Sequence, residues 1–229
     1  MKENIVDTRQ RLFDRIKMLP AQTIKEEIAS SIIHGVGILI AMAALVLLVV
    51  FSSLEGNSIK VISFSIYGGL AVYFYLCSTF YHSLTHYKAK RIFRIMEQTA
   101  IYLFIVGTIT PISLTILDSQ WGWILFLITA VLGIAGILNL FFNTKNSSDV
   151  DFAIDLILLL FLTISLIVSL KDFTPEFRLF FIPGSILYVF SFWLGSMNGL
   201  KYNQAYAHVL SLIGTVLHFF AFFGLINIG

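Results

Sequence analysis

Two imidazoles stand four residues apart in the stretch Tyr81-His82-Ser83-Leu84-Thr85-His86. On one helix face that spacing can bind a divalent metal, but polar histidines are also ordinary where a membrane helix ends. Comparable groups recur elsewhere: Ser78 four residues before His82, Glu97, Gln204 four residues before His208, and Glu27 and His34 with Ser30 and Ser31 between them. Imidazole, carboxylate and hydroxyl are the groups that ligate a metal, move a proton or donate to a developing oxyanion. Whether they make one site depends on the elements that carry them.

Those elements are membrane helices. Of the 229 residues 58% are hydrophobic and 12% charged, and the mean hydropathy of +0.88 is far above that of soluble domains. Apolar segments at about 28–51, 61–82, 98–117, 121–142, 152–170, 177–197 and 205–228 each approach the roughly 20 residues that a helix needs to cross the hydrocarbon core. The expected fold is all-α, a seven-transmembrane helix bundle over residues 24–229 in the cell membrane, preceded by an N-terminal segment, 1–23. In that segment Ile5, Leu12, Ile16 and Leu19 recur at near-helical spacing among charges, which fits an interfacial amphipathic helix or a disordered tail. It has no apolar stretch of the kind that marks a cleavable signal peptide.

Local signals refine this plan. Thr23-Ile24-Lys25-Glu26 fits a capping box and starts the first membrane helix near Ile24. Pro111 should kink the third span. Gly195 and Gly199 form a GxxxG pattern that suits close packing within the chain. The lone cysteine, Cys77, lies in an apolar run and reads as a small buried hydrophobe.

Lysine and arginine crowd the N-terminal segment and the stretch between spans two and three (Lys88, Lys90, Arg91, Arg94), whereas the opposite side carries Lys60, Lys171 and Arg178. The positive-inside rule then puts the N-terminus in the cytoplasm and, with seven spans, the C-terminus outside. On that plan Glu27, His34, His82, Glu97, Gln204 and His208 share one layer on the cytoplasmic side, brought there by four helices. Ionisable groups at such depth are costly, so their convergence points to a functional site. Ser78 and His82 share a face, as do Gln204 and His208, and as do Glu27, the serines and His34. His82 reads as a ligand and His86 as a solvated loop residue. His218 lies about 15 Å deeper than His208 by helical rise and reads as a packing residue.

Four blocks, "EEIASSIIHGVG" (26–37), "STFYHS" (78–83), "MEQTAIYLFIVGTITP" (96–111) and "NQAYAHVLSLIGTVLHFFAF" (203–222), resemble in order and spacing the hemolysin III family. That family stands with the progestin and adipoQ receptors in a wider group of seven-helix membrane proteins that includes alkaline ceramidases. The resemblance implies a zinc site held by the His of S-x-x-x-H and both His of H-x-x-x-H, with a carboxylate of span three close by. Ser78, His82 and His208 match those motifs, but Gln204 stands where the first His of the last motif is expected, and Glu97 where an Asp is usual. A neutral amide is a poor zinc ligand beside imidazole, whereas Glu97, a methylene longer than Asp, could complete a His₂Glu set. The resulting metal set is His82, His208, Glu97 and Gln204, with Ser78 and Glu97 as catalytic groups and Glu27 and His34 in support.

One functional class is then a zinc-dependent intramembrane hydrolase acting on a lipid amide or ester. A second is a non-enzymatic protein with a degenerate metal site, cytolytic and pore-forming or receptor-like. A third is a structural membrane protein whose polar groups only tie helices together. Few polar stripes run along the spans, which disfavours a wide aqueous pore in the monomer. The expected partners are membrane lipids, including a lipid substrate, and no nucleic acid.

Overall fold

Helix α1, Ile24–Leu54, begins as its local sequence dictates. The Thr23 hydroxyl accepts from the Glu26 amide at 3.3 Å while the Glu26 carboxylate accepts from the Thr23 amide at 2.8 Å, closing the expected capping box. The other Glu26 oxygen accepts from the Tyr202 amide at 2.7 Å, so this cap also fastens the start of α1 to a turn far along the chain. The computed structural model describes residues 22–117, 119–142, 157–158, 166–167, 169–197 and 200–227. The proposed amphipathic pattern at 5–19, most of the 152–170 span, Gly199 and the C-terminal Gly229 lie outside the described residues.

Among the described residues five more long helices follow: α2, Ser58–Ser83; α3, Tyr87–Pro111; α4, Gln120–Phe142; α5, Pro175–Ser196; and α6, Asn203–Phe223. All six are long and apolar enough to cross a membrane, and no strand occurs among the described residues. Isoleucine, leucine and valine point outward along α1, as at Ile32, Leu39, Val46 and Val50, where a soluble helix would carry charge. The interior formed by the other helices is instead aromatic. Phe64, Tyr67, Phe74 and Tyr75 of α2 meet Phe104 of α3, Phe177 and Phe181 of α5 and Phe222 of α6.

Helix α2 packs between α1 and α3, and α6 packs between α1 and α5. Two glycines set how closely α1 and α2 approach. The Tyr75 ring lies against Gly37 where a Cβ would stand, and a Cβ on Gly68 would meet the Leu45 Cα at 2.9 Å. The Tyr75 and Tyr188 hydroxyls each share a hydrogen bond with the Thr215 hydroxyl, at 2.6 and 2.7 Å, joining α2, α6 and α5 across the middle of the bundle.

Helix α3 differs from the sequence expectation at both ends. It starts at Tyr87, so Lys88, Lys90, Arg91 and Arg94 lie on its first turns and not in a loop. The stretch is polar because the helix runs past the apolar layer, with Lys90 paired to Glu27 of α1 at 2.7 Å. At the other end the α-helix gives way after Pro111 to a π-type turn, Ile112–Ile116, so the disruption expected from proline falls at the end of the helix.

Candidate functional site

The end of α2 and the beginnings of α1, α3 and α6 meet at one end of the bundle. From α1 come Glu27 and His34, two turns apart on the face turned to α2 and α6. From α2 come Ser78 and His82, both buried. Glu97 comes from α3 and His208 from α6. With Gln204 in the first turn of α6, the six polar positions expected at one depth share one end of the bundle.

The three histidines converge. The ligand atoms of His34, His82 and His208 all lie within 4.8 Å of one another. The His34 and His82 rings are stacked with centroids 5.6 Å apart, and the His208 ring lies 4.3 Å from His34 and 5.1 Å from His82. Among the described residues this is the one group of three or more His, Cys, Asp or Glu donors close enough to hold a metal ion. Both His34 nitrogens and Nε2 of His82 and of His208 are buried without a hydrogen-bond partner among those residues. Leaving a buried polar atom unpartnered costs about 1–3 kcal/mol, so three imidazoles brought this close with such atoms form a candidate ligand site.

His82 is oriented from behind. Its Nδ1 lies 2.8 Å from Glu27 Oε2, and the other Glu27 oxygen accepts from Lys90 Nζ at 2.7 Å. The Lys90 ammonium also lies 4.8 Å above the centre of the Tyr81 ring. An ionised Glu27 makes Nδ1 the protonated nitrogen and turns the Nε2 lone pair towards the cluster, the arrangement that fixes a metal-binding imidazole.

Glu97 stands on the other side, with Oε1 3.7 Å from His82 Nε2. Its side chain is only 14% exposed. Ser78, one turn before His82, is fully buried beside the Glu97 carboxylate, and its hydroxyl makes no hydrogen bond of standard geometry among the described residues. Gln204 turns away from the imidazoles. Its amide nitrogen donates to the Gly195 carbonyl at the end of α5, at 2.8 Å. His86 is an exposed residue preceding α3, and His218 lies deep in the bundle, stacked on Phe181 with its Nε2 3.2 Å from the Ser185 hydroxyl.

Sequence reading did not single out Lys90, because it was assigned to a loop. Starting α3 at Tyr87 would have put Lys90 two turns before Glu97 on the same helix face, the signal that ties it to the site.

The chain is similar to known proteins over most of its length. A family model described as haemolysin-III related matches residues 22–223. The chain is 32% identical over 203 residues to Hemolysin-3 of Bacillus cereus, covering 87% of this chain and 91% of that protein. It is 35% identical over 205 residues to a Hemolysin-3 homolog of Bacillus subtilis (strain 168), covering 86% of this chain and 93% of that one.

Proposed function

This chain belongs to the haemolysin-III-related family of multi-pass membrane proteins, and from that premise we propose that it is a zinc-dependent hydrolase of a lipid amide or ester. The observation that carries the reading is the set of unpartnered imidazole nitrogens facing one another beside the Glu97 carboxylate and the Ser78 hydroxyl. A donor set of imidazoles with a carboxylate alongside suits zinc, and the buried, unbonded nitrogens suit a cation better than they suit one another.

His82 and His208 would hold the ion, completed by a group beside them. Zinc bound there supplies Lewis acidity, polarising a scissile carbonyl and lowering the pKa of water. Glu97 takes the proton from the attacking water and returns it to the leaving amine or alcohol. The Ser78 hydroxyl, buried beside Glu97, donates to the carbonyl oxygen as negative charge develops on it. Glu27 keeps His82 in the tautomer that presents Nε2, and Lys90 holds Glu27 in place. The lysine and arginine distribution puts this end at the cytoplasmic face, where a lipid can present its headgroup linkage to the site.

The test pairs metal analysis with turnover. Protein purified in nanodiscs should carry about one zinc per chain and hydrolyse members of a panel of ceramides and lipid esters. Glu97→Gln should cut the rate by roughly 10²- to 10⁴-fold, the contribution of a positioned general base, with zinc retained. Turnover unchanged in Glu97→Gln would overturn this assignment. The name Hemolysin-3 carried by the relatives favours a second reading, a cytolytic protein. Dye release from vesicles that is indifferent to His82 and Glu97 substitutions, with no lipid product formed, would select it.

A further inference from the structure

We infer that His34 is the third zinc ligand, supplying the imidazole that position 204 lacks, so that Glu97 stays outside the ligand set and remains free to move protons. The inference rests on the zinc reading above and specifies its ligands.

Three observations carry it. The donor group that the fold gathers is His34, His82 and His208, and the Glu97 carboxylate does not belong to it. His34 is 1% exposed, yet neither of its nitrogens has a hydrogen-bond partner among the described residues. Its ring is held edge-on to Phe74 and tilted against Tyr75, at 5.7 and 5.8 Å between centroids, so packing fixes the ring while its polar atoms go unused. Gln204, by contrast, has its amide nitrogen committed to the Gly195 carbonyl, and the adjacent Asn203 amide nitrogen donates to the Gly195 and Met197 carbonyls at 3.1 and 2.7 Å. The start of α6 is therefore bound to the end of α5.

Coordination chemistry agrees. Nitrogens on a tetrahedral zinc lie roughly 3.3 Å apart, given bonds of about 2.0–2.1 Å. Among the described residues no hydrogen bond of His34, His82 Nε2 or His208 Nε2 must break for the three to close to that separation. A three-imidazole set leaves a fourth position open, the arrangement of a catalytic zinc site. Glu97 Oε1, 3.7 Å from His82 Nε2 and outside the ligand set, would then be free to act as a base.

The decisive measurement counts imidazoles on the bound metal. X-ray absorption at the zinc edge of the wild-type protein, reconstituted with one equivalent of zinc, should fit three imidazoles, and His34→Phe should fit two. Phenylalanine preserves the aromatic packing against Phe74 and Tyr75. Chelator competition should show zinc affinity at least 100-fold weaker in His34→Phe, and less than tenfold changed in Glu97→Gln. Two imidazoles and a carboxylate in the wild-type spectrum, or undiminished binding by His34→Phe, would overturn the inference and leave the zinc reading standing. A wild-type protein that takes up no zinc on reconstitution would overturn both. The wild-type spectrum decides the ligand set even if His34→Phe fails to fold.

Discussion

The bundle has a partly buried lysine–glutamate pair at each end, and the two pairs lead to different places. At the end where α1 passes into α2, Lys60 Nζ lies 2.6 Å from Glu55 Oε1 and donates to the Leu225 carbonyl at 2.6 Å. Asn227 reaches the same Glu55 oxygen at 3.4 Å. That network joins the first interhelical turn to the segment after α6 and stops at the backbone. At the other end Lys90 and Glu27 make an equally short contact, but the second Glu27 oxygen continues to His82 Nδ1, and His82 Nε2 opens onto unpartnered imidazoles. A buried ion pair is by itself weak evidence of anything beyond packing. What separates a latch from a site is the atom at the far end of the network: a carbonyl already satisfied, or a lone pair with nothing to bind.

The largest expected effect follows from removing that lone pair. His82→Ala should weaken zinc binding by more than about 100-fold, exceeding the roughly 10- to 100-fold effect of an outer partner, because a direct ligand is lost. Equilibrium dialysis against a chelator series measures this. Binding retained to within tenfold would make the polar end a second latch and erase the contrast.

Next comes the link behind His82. Glu27→Gln keeps the side-chain shape but removes the charge that fixes the Nδ1 proton, so zinc affinity should fall about 10- to 100-fold. Lys90→Met should fall less, since Lys90 acts only through Glu27. An effect of Lys90→Met larger than that of Glu27→Gln would mean that Lys90 acts on the site by another route.

The helices and their polar layer were legible in the sequence because both depend on local pattern. Apolar length marks the spans, the Thr23–Glu26 box needs only four residues, and depth along each helix places His82, Glu97 and His208 at one level. What was not legible is rotation about the helix axes. His34 faces His82 because α1 and α2 close on one another where Tyr75 covers Gly37 and Leu45 meets Gly68, a fit made by residues far apart in the chain. Gln204 turns from the cluster because the turn before α6, with Tyr202 in the left-handed region at φ 61°, brings Gly195 within its reach. The start of α3 was obscured for a related reason. The charges on its first turns look like a loop until Glu27 of another helix is seen to pair with one of them.

The smallest effect is expected at the latch. Lys60→Met keeps most of the aliphatic stem but removes the ammonium that joins Glu55 to the Leu225 carbonyl, both contacts lying where the Lys60 side chain is 12% exposed. Charge-assisted hydrogen bonds of this kind contribute about 1–3 kcal/mol, which for a chain of this size lowers the thermal midpoint by roughly 2–10 °C. Asn227 still reaches Glu55 Oε1, so the carboxylate is not abandoned and the lower part of that range is expected. Zinc affinity should stay within twofold of wild type, because nothing in the Lys60 network touches His34, His82 or His208. Measuring both quantities on one nanodisc preparation separates the ends: a loss of melting temperature with intact zinc binding assigns Lys60 to the latch alone, whereas a parallel loss of zinc would show that the two ends are coupled through the bundle.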